Sequence, residues 1–197
     1  MKKRYIILGI FILFFLIFYY KNQKLGNTII KIEKEKIIED ILKQDVSYEA
    51  NIKVTVYSNK NKNEYDLRII ENQEENLIEA IGENSISGLR MEKKNGDLII
   101  RNTKLKLDKI YENYREVMDS SLFLSTFGKE YQETNQRKEE EKDDNIMIRI
   151  TLKNGNRYIK YKELYLNKKT GMPEILMIKD SNKRPKIIIE YTSIKVL

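Results

Sequence analysis

Hydrophobic residues in this chain follow different periods in different stretches, and each change of period marks a new element. Tyr5 to Tyr20 (YIILGIFILFFLIFYY) carries no charge and shows no periodicity. As a helix it would extend roughly 24 Å against a hydrocarbon core of about 30 Å. Tyrosines at both ends suit the interface, and Arg4 and Lys21 can snorkel, so residues 1–21 are predicted to be a membrane anchor. Lys2, Lys3 and Arg4 put the N-terminus in the cytoplasm and everything after Lys21 outside. The alternative is a cleaved signal peptide, which needs a shorter apolar core and small residues at its cleavage site. The continuation YYKNQKLGN offers bulky and charged ones. Residues 22–28 then read as a polar linker and residues 29–197 as one extracytoplasmic domain.

From Thr28 to Lys43, Ile30, Ile37, Ile38, Ile41 and Leu42 share one face of a helix, which Asn27 or Thr28 could cap. The period then drops to two. Tyr48, Ala50, Ile52, Val54 and Val56 alternate with Glu49, Asn51, Lys53, Thr55 and Tyr57, marking a strand with one face on a core. Tyr65, Leu67 and Ile69 form its hairpin partner, and short strands follow at 77–81 and from Leu89 and Met91. Asn95-Gly96 is a hairpin turn signal, with Leu98 and Ile100 returning and Leu105 and Leu107 alternating with Lys104 and Lys106. A second helix is expected around Ser120–Gln132, displaying Leu124, Phe127 and Tyr131 and capped by Asp119 or Ser120. Residues 133–145 (ETNQRKEEEKDDN) contain no apolar side chain and read as an exposed loop.

Alternation resumes at Ile146, Ile148, Ile150 and Leu152, with Asn154-Gly155 as a second turn signal and a return from Tyr158 to Leu166. Two more strands, turned at Lys168–Gly171 and Asp180–Pro185, end the chain. Nine or ten antiparallel strands with two helices make an α+β fold. A long curved sheet over helices fits better than a sandwich, because the helical stripes need an apolar sheet face to cover them.

Composition narrows the function. The net charge of +7 comes from 37 Lys+Arg against 30 Asp+Glu, interleaved along the chain without the basic block a nucleic-acid binder shows. The chain has no cysteine, hence no disulfide, thiolate nucleophile or lipid-attachment site, and no histidine to act as general base or metal ligand. There is no G-x-S-x-G, phosphate loop or H-E-x-x-H motif. Glu139–Glu141 and Asp143–Asp144 lack EF-hand spacing and read as a solvated charge run. A carboxylate pair across strands, as in glycosidases, leaves no mark in sequence. No catalytic, cofactor-binding or metal-binding residue emerges. Of the thirteen tyrosines, Tyr48 and Tyr65 fall on core faces, whereas Tyr57 faces the other way, where an amphipathic ring suits a binding surface.

Several short segments resemble a known family. They are Ser47-Tyr48-Glu49-Ala50 at the start of the first strand, Ser58-Asn59-Lys60 at its end, the Thr170-Gly171-Met172-Pro173 turn, and Asp180. Over about residues 29–195 the chain resembles LolA-like lipoprotein carriers, and among them the clostridial GerS-type spore germination lipoproteins. The resemblance implies a half-open β-barrel with helices across its concave face. It also implies a non-catalytic role beside an N-acetylmuramoyl-L-alanine amidase of the spore cortex. GerS-type relatives carry a lipobox cysteine; this chain has none, and its apolar N-terminus takes that place. The expectation is a membrane-tethered scaffold for a cell-wall enzyme in sporulation and germination. The alternatives are a lipid or lipoprotein carrier using the concave cavity, or a sensor. Unpaired strand edges further suggest a homodimer.

Overall fold

The computed structural model describes residues 35–43, 46–58, 61–82, 86–94, 97–112 and 121–197. The expected anchor, the linker, the start of the first helix, Asn95-Gly96, and the caps proposed at Asn27, Thr28, Asp119 and Ser120 lie outside them. Among the described residues no helix is long and apolar enough to cross a membrane.

Residues 35–42 are helical (α1). Six strands follow: β1 (Tyr48–Tyr57), β2 (Lys62–Glu71), β3 (Glu75–Ala80), β4 (Leu89–Lys94), β5 (Asp97–Asn102) and β6 (Leu107–Tyr111). Helix α2 (Leu124–Glu133) separates them from β7 (Arg137–Lys142), β8 (Asn145–Thr151), β9 (Tyr161–Asn167), β10 (Pro173–Lys179) and β11 (Pro185–Val196). All eleven strands join one open, curved, antiparallel sheet in the order β6-β5-β4-β3-β2-β1-β11-β10-β9-β8-β7. Two meanders therefore meet at the β1–β11 pair. That seam runs from Tyr48↔Val196 to Val56↔Ile187, with a bulge after Asn51 where the Thr192 hydroxyl donates to the Asn51 carbonyl at 2.9 Å.

The core lies on the face chosen by the period of two. Tyr48, Ala50, Ile52 and Val54 of β1 and Leu67 and Ile69 of β2 are buried there with Leu164, Leu166, Leu176 and Ile189. Phe123, Leu124 and Phe127, around the start of α2, join the same cluster, as does Ile41 of α1, with Ile37, Ile38 and Leu42 packed beside it.

Four expectations need correction. Residues 137–142 form strand β7, paired with β8 from Arg137↔Ile150 to Lys142↔Asn145. An edge strand needs a partner on one side only, so a segment without apolar residues can hold its place through ladder bonds. Helix α2 starts at Leu124, later than Ser120, with Phe123 in the N-cap position and no side-chain cap of its own. Residues 103–106 form a turn, so Leu105 precedes the strand, and Leu105 and Leu107 are both exposed. Asn154-Gly155 sits in a longer connection, closed by Leu152 N–H to the Lys160 carbonyl at 3.0 Å. Gly155 is required there because a Cβ would come within 2.8 Å of the Ile159 carbonyl. The return strand begins at Tyr161, leaving Tyr158 exposed in the connection.

Candidate functional site

The period-two face of β2 runs Tyr65, Leu67, Ile69 and then Glu71, so the strand carries a carboxylate into the core. Glu71 is 4% exposed. It accepts from the backbone N–H of Ser125 at 3.4 Å and from the Ser125 hydroxyl. The Leu124 N–H donates to the Tyr48 hydroxyl at 3.2 Å, and that hydroxyl adjoins the same carboxylate. The first turn of α2, which lacks a local cap, is thus capped by β1 and β2. Burial is the largest influence on Glu71 and raises its pKa above the ordinary range, with the Ser125 and Tyr48 hydrogen bonds pulling the other way. Burial, then the neighbouring Tyr191 and Glu71, push the Tyr48 hydroxyl well above its usual value. Burial does the same to Tyr191, whose hydroxyl finds no hydrogen-bond partner among the described residues. A cavity of about 190 Å³ opens beside this cluster, with Ser47, Glu71, Asn72, Gln73 and Ser125 in its wall.

A second polar contact fixes the other end of α2. Lys162 of β9 is 1% exposed, and its Nζ lies 2.5 Å from the Glu130 carboxylate. Glu71 and Lys162 therefore hold α2 against the two halves of the sheet. The cluster contains the Ser125 hydroxyl beside a carboxylate, but both are engaged in holding the helix. What they provide is a fixed surface.

On the outer face, Glu163 of β9 is 2% exposed between Arg149 at 2.7 Å and Lys179 at 2.6 Å, and the Tyr165 hydroxyl donates to it at 2.9 Å. Burial raises the Glu163 pKa, but the hydrogen bonds from Lys179, Arg149 and Tyr165 outweigh it and hold the carboxyl below the usual range. Tyr165, half-buried beside that carboxylate, is pushed up to about 12, chiefly by burial and then by its bond to Glu163.

The described residues of the segments that carried the family resemblance are structural; Asn59 and Lys60 lie outside them. Tyr48 is the cap just described. Gly171 has φ of +76°, and the Asn167 side chain accepts from the N–H groups of Lys169 and Thr170 at 2.9 and 3.0 Å. Asp180 is buried and accepts from the N–H groups of Asn182 and Arg184 at 2.9 Å each. Burial raises its pKa, but those bonds and the Arg184 guanidinium bring it below the ordinary value. Ser58 closes the first hairpin through the Asn61 N–H and carbonyl. Glu139 accepts from the Tyr131 hydroxyl at 2.8 Å, and the rest of the expected charge run stays exposed or half-exposed along β7 and its turn. Tyr65 and Tyr57 are both half-buried, on opposite faces. Among the described residues no group of three or more acidic side chains could hold a metal ion. Glu71 was within reach of the sequence pattern, because it continues the i, i+2 series. Lys162 and Glu130 left no such signal, since they meet only through the fold.

Comparison with known proteins gives a consistent result. The family model described as "Sporulation protein YdcC-like" matches residues 1–196. No curated protein matches the chain. Among solved structures, the complex of the CwlD amidase with the GerS lipoprotein from Clostridioides difficile matches at TM-score 0.51 and 22% identity, covering 81% of this chain and 93% of that one. A conserved protein from Thermus thermophilus matches at TM-score 0.50 and 11% identity, covering 85% of this chain and 87% of its own. A LolA superfamily protein from Nitrosomonas europaea matches at TM-score 0.40 and 11% identity, over 84% and 94% of the two chains.

Proposed function

The chain belongs to the YdcC-like sporulation proteins, and from that premise we propose that it is a membrane-tethered, non-catalytic scaffold for a cell-wall amidase of the spore cortex. The observation that carries the reading is the fold, shared with GerS over most of both chains, GerS having been solved with an amidase bound. The interior supports it. Glu71, Tyr48 and Lys162 hold α2 in place, and none of them is left free to act on a substrate. The apolar segment at Tyr5–Tyr20 supports a tether with the N-terminus inside and the folded domain outside, where wall enzymes work. The carrier reading draws less support: the cavity beside Glu71 is polar, as is a neighbouring one of about 550 Å³ bordered by Asn72, Glu74, Lys93 and Lys94.

The test is capture with the full chain from detergent-solubilised sporulating cells, with bound proteins identified and assayed on peptidoglycan. The expected result is enrichment of an N-acetylmuramoyl-L-alanine amidase, with altered cortex in a deletion strain. Recovery of no wall amidase together with normal cortex would refute the scaffold.

A further inference from the structure

The two edges of the sheet differ in chemistry. β7 ends one side with Arg137-Lys138-Glu139-Glu140-Glu141-Lys142 and no apolar residue, the usual protection of an exposed edge. β6 ends the other side among the described residues, and there apolar side chains stand exposed beside lysines. Leu105 in the β5–β6 turn, Leu107 and Ile110 are 67%, 61% and 56% exposed. Lys104, Lys106 and Lys109 stand exposed beside them, and the one acidic side chain of the strand, Asp108, is held by Arg101 at 3.3 Å.

The turn presenting Leu105 is a built feature. The Asn102 side chain accepts from the Leu105 N–H at 2.9 Å, and the Thr103 N–H donates to the Gly88 carbonyl at 3.0 Å. Lys106 adopts a left-handed conformation at φ 52°. Gly88, at φ +81°, lies so close that a Cβ would come within 2.8 Å of the Thr103 hydroxyl. Leu105 is thus projected from the rim of the sheet on a fixed turn, with lysines on either side of it in sequence.

We infer that this rim, from Lys104 to Ile110, docks on an anionic lipid surface. Three occupants can be weighed. A second copy offering its own β6 would match the apolar side chains but double the positive charge. A second copy offering β7 would bring acidic side chains but nothing apolar to cover Leu105, Leu107 or Ile110. A leaflet with anionic headgroups supplies both, an acyl boundary for the leucines and phosphates for the lysines. Only the location of the domain next to a membrane rests on the tethered reading above.

The chain has no tryptophan, so Leu105→Trp gives a single indole at the rim, excited selectively over the tyrosines. The full-length variant is added to phosphatidylcholine vesicles with and without phosphatidylglycerol, carrying bromine on the acyl chains. In the anionic vesicles its emission is expected to shift to the blue and fall by about half, as for a side chain sunk about 5–10 Å into the headgroup boundary. Tyr158→Trp, exposed in the β8–β9 connection, is expected to show neither change. Adding Lys104→Glu and Lys106→Glu to Leu105→Trp should abolish the quenching. Unquenched emission at position 105 in anionic vesicles overturns the inference. A blue shift without bromine quenching also overturns it, in favour of a protein on this edge. Flotation with neutral vesicles reports the anchor separately, so the two readings can fail independently.

Discussion

Single residues decide whether α2 stays seated, and Glu71 is the most informative of them. Its folded pKa is raised, so ionisation costs stability in the folded state. The sign follows from linkage. Stability falls as pH rises from the ordinary carboxylate value of 4.5 through the higher folded value, because the native state holds its proton longer. Glu71→Gln should remove that decline, seen by chemical denaturation across this window. Glu71→Leu should also remove it, but should cost about 1–3 kcal/mol below pH 4.5, where the carboxyl is protonated in both states, since the Ser125 N–H loses a buried partner, and less at higher pH. Glu163 has the opposite sign. Its folded pKa is lowered, so its contribution is present above 4.5 and lost as pH falls through the folded value. Glu163→Gln should flatten the acid limb of the stability profile, measured by urea midpoints at successive pH values.

At the scale of elements, periodicity proved reliable where a segment has one apolar face and misleading where it has none or two. β1 and β8 follow their alternation apart from Thr55 and Met147, which are buried on the opposite face. In β3, Leu77 and Ile78 are both apolar, and only the pairing Ile69↔Ile78 shows which one turns towards the core. Leu77, on the outer face, is nonetheless 1% exposed. β7 was hidden for the reverse reason: RKEEEK has no apolar face, and its strand state comes from pairing with β8. Amide hydrogen exchange tests that pairing directly. Backbone N–H groups of Arg137–Lys142 that point towards β8 should exchange more slowly than those of the Asp143–Asp144 turn, whereas a solvated loop would show no difference. Helix α2 depends on contacts distant in sequence, and Phe127, fully buried, is its main apolar anchor. Phe127→Ala should cost about 3–5 kcal/mol, read from denaturant midpoints.

The whole molecule is held together at one seam. β1 joins one meander and β11 the other, and their pairing links residues near the two ends of the described domain. Removing Pro185–Val196 should therefore abolish cooperative unfolding altogether, checked by loss of the thermal transition in circular dichroism. Closing this one distant pairing across most of the domain predicts slow folding, about milliseconds to seconds in stopped-flow.

The sequence by itself determined most strands, the core face of the sheet, the stripe of α2, the described part of the α1 stripe, and the turns at Gly171 and Asp180. These features are local, set by side-chain period and turn chemistry, and can be seen without knowing what packs on them. Tertiary structure alone decided that β1 meets β11, that 137–142 is a strand, and that α2 begins at Leu124 under a cap from β1 and β2. It also brought Lys162 to Glu130 and left Leu107 and Ile110 of β6 exposed. Each of these depends on a partner remote in the chain, whose hydrogen bonds or burial outweigh the local preference, and a one-dimensional pattern records no such partner.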